Sequence, residues 1–118
     1  MDNNNLSYLK GQRNAEYSDL TIVDLLRRHA CAAPQRTALV YNDFSVSYGC
    51  FDLLTDLLAV ELIRLGVTRG SRVGILSYHD ELAVISIFGI AKAGAVYVPL
   101  IPQFPPPRLL HIINDAGI

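Results

Sequence analysis

The chain has little of anything that would direct it to a membrane, a nucleic acid or an oxidising compartment. Two cysteines in 118 residues, Cys31 and Cys50, cannot make a disulfide framework, so a cytoplasmic protein with reduced thiols is expected. No charge of one sign accumulates. Ten Lys and Arg face eleven Asp and Glu, and without a basic stripe no nucleic-acid partner is expected. Arg27 and Arg28 read as a solvated helix face. The longest strongly apolar stretch, Leu82 to Ala91, contains Ser86 and Gly89 and falls far short of the about 20 residues that a membrane span requires. The first residues, Met1 to Asp19, are polar and Asn-rich and hold no apolar segment of a secretory signal.

Groups that do chemistry are equally sparse. A phosphate loop needs glycines ending in Gly-Lys-Ser/Thr between a strand and a helix. The segment from Gly66 to Gly74 lacks that ending and lies between a helix and a strand, so it reads as a turn. His29 and Cys31 are two apart on a helix and point in different directions, while His79 and His111 are isolated, so no metal site is expected. Cys50 falls in the first turn of a helix, where thiols can become reactive, but a small apolar side chain at a helix start is the plainer reading. Asp52 and Asp56 read as solvated neighbours on one helix face. No catalytic residue, cofactor or metal is assigned.

What the chain does have is apolar residues, just over half of the total. That is the top of the globular range and more than a self-contained domain of this size needs. Surface meant for a partner, or for a missing part of the same protein, is the first expectation. Residues 1–19 read as a flexible lead-in and residues 20–118 as the folded unit.

The first helix starts at Thr21, an N-cap with Asp24 three positions on, and ends before Pro34. Two short strands follow, Thr37 to Tyr41 and Phe44 to Ser47, joined by Asn42 and Asp43 as a two-residue hairpin. Ser47 caps the longest helix, Tyr48 to Leu65, closed by Gly66. Its stripe is Phe51, Leu54, Leu58, Leu62 and Leu65, widened by Leu53, Leu57 and Val60. Arg72 to Ser77 reads as a buried strand, then a helix capped by His79 or Asp80 runs to Ala93, and Ala95 to Ile101 is a second strand. Strand, helix and strand make a βαβ unit with parallel strands. Pro105, Pro106 and Pro107 lead into a last helix, Arg108 to Ala116. The fold class is therefore α/β: an N-terminal hairpin plus a βαβ unit, with helices packed on the sheet.

The helix of the βαβ unit, Leu82 to Ala91, is apolar nearly all round and needs cover on both faces. The long helix is all that remains to supply the second. An exposed apolar patch is expected, with Leu82, Ile85, Phe88, Leu54, Leu58 and Leu62 as interface candidates.

Three segments carry a resemblance. Ser45-Val-Ser-Tyr-Gly-Cys-Phe51 is similar to the LTYxEL motif of adenylation domains. Gly66-Val-Thr-Arg-Gly-Ser-Arg-Val-Gly-Ile75 is similar to their GVxxGDRVAI. Ile90-Ala-Lys-Ala-Gly-Ala-Val-Tyr-Val-Pro-Leu-Ile-Pro102 resembles LKAGAAYVPLDP, the most specific of the three. The chain thus resembles, over about Asp19 to Ile118, the N-terminal portion of an adenylation domain of nonribosomal peptide synthetases. Those domains belong to the adenylate-forming, AMP-binding superfamily. Cys50 stands where the family has Glu, Ser71 where the GDRV turn has Asp, and Ile101 where Asp follows Pro-Leu. The resemblance implies that the nucleotide loop, amino-acid pocket and catalytic Lys of the family lie beyond this segment, so no site residue is carried over.

The preferred functional expectation is a truncated, non-catalytic module. It would act by homo-oligomerisation or by docking to another synthetase protein or domain. The alternative is one half of a split amino-acid-activating enzyme completed by another chain. A fragment cut from a longer synthetase is a third reading, against which the initial Met1 weighs mildly.

Overall fold

The computed structural model describes residues 21–78 and 80–118; the lead-in expected over residues 1–19 lies outside the described residues. Among the described residues eight elements follow one another: α1 (Ile22–Ala32), β1 (Thr37–Tyr41), β2 (Phe44–Ser47), α2 (Tyr48–Arg64), β3 (Arg72–Leu76), α3 (Glu81–Lys92), β4 (Val96–Leu100) and α4 (Pro106–Ala116).

The local signals hold at almost every boundary. The Thr21 hydroxyl accepts the Asp24 N–H at 3.2 Å, and the Asp24 carboxylate accepts the Thr21 N–H at 3.1 Å, a complete capping box. At the start of α2 only half of that device exists. Ser47 Oγ accepts the Cys50 N–H at 3.2 Å, and a thiol stands where a carboxylate would reach back. The far end of α2 closes as a Schellman motif: Gly66, at φ 106°, donates to Ile63 O, and Val67 donates to Leu62 O. Asp80, rather than His79, caps α3 by accepting the Ala83 N–H at 3.1 Å. Helices α2 and α3 and strands β3 and β4 end one residue inside their expected bounds, and the larger difference is at the last helix. Helix α4 begins at Pro106, two residues before Arg108, because proline's fixed φ and missing N–H suit the first helical turn.

Strands β1 and β2 pair antiparallel, with Tyr41 opposite Phe44 and Asn42 at φ 54° in the turn. Strands β3 and β4 pair parallel, from Arg72 opposite Val96 to Leu76 opposite Leu100. They form two separate two-stranded sheets. The α/β class with a hairpin and a parallel βαβ unit stands.

The core joins α1, the hairpin, α2 and α3. Leu26, Val46 and Phe51 are buried, with Leu39, Val84, Ile85 and Phe88 packed around them. Phe51 and Phe88 meet edge to face at 5.2 Å between ring centroids. Each buried side chain of this size contributes about 1.5–3 kcal/mol relative to exposure. Gly49 draws the hairpin's exit onto the end of α1: it donates to Pro34 O at 3.0 Å, and a Cβ there would stand 3.1 Å from the proline ring.

Candidate interaction surface

Helix α3 lies between the β3–β4 sheet and α2. Its fit against α2 depends on Gly89, where a Cβ would stand 2.5 Å from Leu58 Cδ2. The inward face of α2 is accordingly Phe51, Thr55 and Ala59, with Leu58 and Leu62 half-buried beside it. Thr55 is wholly buried, and its hydroxyl donates to Phe51 O at 2.8 Å. The stripe read from the sequence is only partly the buried one. Leu54 and Leu65 are exposed, and Leu53, Leu57 and Val60 form an outward apolar line. The cause is the close approach to α3, which admits small residues where leucines would collide.

The expectation of a bare α3 shifts in consequence. Among its apolar residues only Leu82 is exposed, at 60%, while Ile85 and Phe88 turn toward the core. Most of the exposed apolar surface of the helices lies on α2. Of the six candidates, three come together. Leu58, Leu62 and Leu82 line one groove of about 350 Å³ with Val73, Ile75 and Leu76 of β3. Ile85 and Phe88 lie on the core side, and Leu54 faces outward. A second apolar hollow, about 500 Å³, opens at the carboxyl ends of β3 and β4 between Tyr78, Tyr97, Ile87 and Ile101.

Asp52 and Asp56 are not solvated neighbours. Lys92, at the end of α3, has a side chain only 4% exposed. Its Nζ is held by the Asp52 carboxylate, by Asp56 Oδ1 at 2.7 Å and by Asp52 O at 2.9 Å. Arg27 closes the node from α1, reaching Asp52 Oδ2 at 3.2 Å and Asp56 Oδ1 at 2.8 Å. Two cations and two carboxylates thus bind three helices together. The burial of Lys92 is the cause, since a desolvated ammonium must be paired. A signal was present: Lys92 is the only charge from Leu82 to Ala95, and Asp52 and Asp56 are four apart on one helix face.

The remaining candidates stay apart. His29 stacks on Tyr48 with 5.1 Å between centroids, and His111 is exposed. Cys31 and Cys50 are free and exposed. His79 lies outside the described residues. Among the described residues no group of three or more His, Cys, Asp or Glu could hold a metal ion. No described helix is long and apolar enough to cross a membrane. The Gly66–Gly74 segment is a turn, with Gly70 at φ 85° and Ser71 Oγ accepting the Thr68 N–H at 2.9 Å.

With this geometry in place, comparison with known proteins is decisive for family. Residues 26–118 match the family described as AMP-binding enzyme. The chain belongs to that family. All three motif segments fall inside the matched span. HC-toxin synthetase of Cochliobolus carbonum is 37% identical over 112 residues, 95% of this chain and 2% of that protein. Syringomycin synthase SyrB1 of Pseudomonas syringae pv. syringae is 42% identical over 85 residues, 72% of this chain and 14% of that protein. The chain therefore spans a small fraction of the length of these relatives. Among solved structures, the nonribosomal peptide synthetase FmoA3, bound to alpha-methyl-L-serine-AMP, is similar with a TM-score of 0.79 at 21% identity. That match covers 83% of this chain and 11% of the synthetase, and it shows the fold alone. The resemblance to the N-terminal portion of adenylation domains agrees with these matches.

Proposed function

We propose that these 118 residues form a scaffold module of nonribosomal peptide biosynthesis, working in the cytoplasm through contact with another polypeptide and performing no chemistry alone. The contact is dimerisation or docking to a synthetase component. One observation carries the reading: Leu58, Leu62 and the exposed Leu82 gather along β3 into an apolar groove that no described element fills. An apolar groove of this kind is an interaction surface by default. The free, exposed cysteines suit a reducing compartment.

A second reading is one half of an amino-acid-activating enzyme completed by another chain. It is favoured by the complete βαβ unit, in which Asp80 caps α3 and β3 and β4 pair in parallel from Arg72–Val96 to Leu76–Leu100. One experiment separates the two. The chain is mixed with the part of SyrB1 that follows its matching segment, and both capture and amino-acid-dependent ATP–pyrophosphate exchange are measured. The chain alone gives no exchange on either reading. Capture without exchange supports the module, and exchange on mixing supports the split enzyme. A monomer that captures nothing removes the basis of both.

A further inference from the structure

Helix α1 starts from a complete capping box, and the residue before that box is apolar. A capped helix start is commonly completed by such a residue, which packs on an apolar side chain at the fourth helical position and fixes the angle at which the chain enters. With Thr21 as N-cap and Ile22 as the first helical residue, the fourth is Leu25, and the residue before the cap is Leu20. Thr21 itself is extended, at φ −93° and ψ 172°.

Leu25 faces a hollow. With Ile22 and His29, on one face of α1, it lines a space of about 270 Å³ bounded elsewhere by Leu39, Phe51 and Phe88. The lining is apolar except at the far end of α1, where His29 stacks on Tyr48. The end next to the cap is open, since Ile22 is 45% exposed and Leu25 is only half-buried.

Chain geometry gives the reach. From Leu25 to His29 the helix advances about 6 Å. A chain in the polyproline conformation advances about 3.1 Å per residue and returns to the same face every third residue. Tyr17 and Leu20 are three apart, so in that conformation they share a face and stand about 9 Å from one another. Ser18 and Asp19 then point to water. A segment laid back along α1 from Leu25 reaches the His29–Tyr48 pair with Tyr17.

Tethering decides the occupant. Twenty residues precede Thr21, and this path uses only the last four. They join α1 at the open end of the hollow, so their concentration there is on the order of millimolar or higher, and an untethered partner competes poorly.

We propose that the hollow between α1, β1, α2 and α3 is a docking site for the chain's own residues 17–20. Leu20 packs on Leu25, and the Tyr17 ring lies against the His29–Tyr48 stack. The folded unit then begins at Tyr17, and the hollow is closed to other molecules. It shares no lining residue with the β3 groove, so the inference stands or falls apart from the scaffold reading.

Nuclear Overhauser contacts in the unmodified, isotope-labelled chain test it. Leu20 methyls contact Leu25, the Tyr17 ring contacts His29 or Tyr48, and neither contact weakens on dilution. Leu20→Ser lowers Tm by about 4–8 °C, whereas Leu9→Ser, outside the docked segment, leaves it unchanged. Leu20→Met loses less than Leu20→Ser, and in a Leu25→Ala background Leu20→Ser also loses less, because its partner is already gone. Absence of either set of contacts overturns the inference. Contacts seen only between labelled and unlabelled copies in a mixed sample assign the hollow to a second copy and overturn it too. A saturable shift of the Leu25 and Phe88 resonances on adding benzene shows the hollow open in the unmodified chain and has the same effect.

Discussion

Gly89 on α3 and Leu58 on α2 are fitted to one another: a Cβ at position 89 would lie 2.5 Å from Leu58 Cδ2 and 2.8 Å from its Cγ. Gly89→Ala therefore forces the helices apart or Leu58 out of its rotamer, and destabilises the fold by about 1–3 kcal/mol. Combining it with Leu58→Ala restores room, so the double variant loses less than the sum of the two single ones. Urea unfolding of the four-member cycle measures the difference. Simple additivity would show that the contact does not govern the packing.

Lys92 supports a second prediction. Lys92→Met keeps the stem and removes the ammonium, leaving Asp52 and Asp56 with Arg27 alone. Because Lys92 is almost wholly buried and Asp52 is mostly so, the loss is about 2–4 kcal/mol. Arg27 is half exposed, and Arg27→Met costs less than about 1 kcal/mol. Equal losses in denaturant unfolding would place the node's strength at the surface pair.

Cys50 occupies the third helical position after Ser47 and is exposed. Cys50→Glu supplies the missing half of the capping box without disturbing packing. Stability rises by about 0.5–1 kcal/mol. A thermal scan reads the gain, and a Cys50→Ala variant, which cannot accept the Ser47 N–H, shows none of it.

The outward line on α2 makes the fourth. Leu57 is 58% exposed and lies outside the β3 groove. Leu57→Lys changes stability by less than about 0.5 kcal/mol. It also leaves capture of a synthetase polypeptide unchanged. Loss of capture would move the interaction surface from the β3 groove to the outward line of α2.

The fold was legible where its causes are local. Thr21 with Asp24, Ser47 and Gly66 mark helix ends by chemistry contained within a turn, and Asn42 marks the hairpin in the same way. The orientation of α2 was not legible. Leucines occur all round that helix, so periodicity cannot choose a face. The choice is made by Gly89, Thr55 and Ala59, whose small size matters only once α3 is alongside. The ion node was half legible: Lys92 stands out as a lone charge in an apolar helix, but its pairing with Asp52, forty residues away, follows from burial. The candidate surface was half legible. Leu58, Leu62 and Leu82 were named, but the strand beside them was not, because which strand flanks a helix pair is set by tertiary packing.

Pro99 has a consequence for assembly size. A two-stranded sheet with two open edges can recruit neighbours on both sides and grow without limit. Pro99 removes one outward donor from the β4 edge, so that edge pairs less well than a strand that keeps them all. Strand-to-strand association through the β4 edge should therefore be disfavoured.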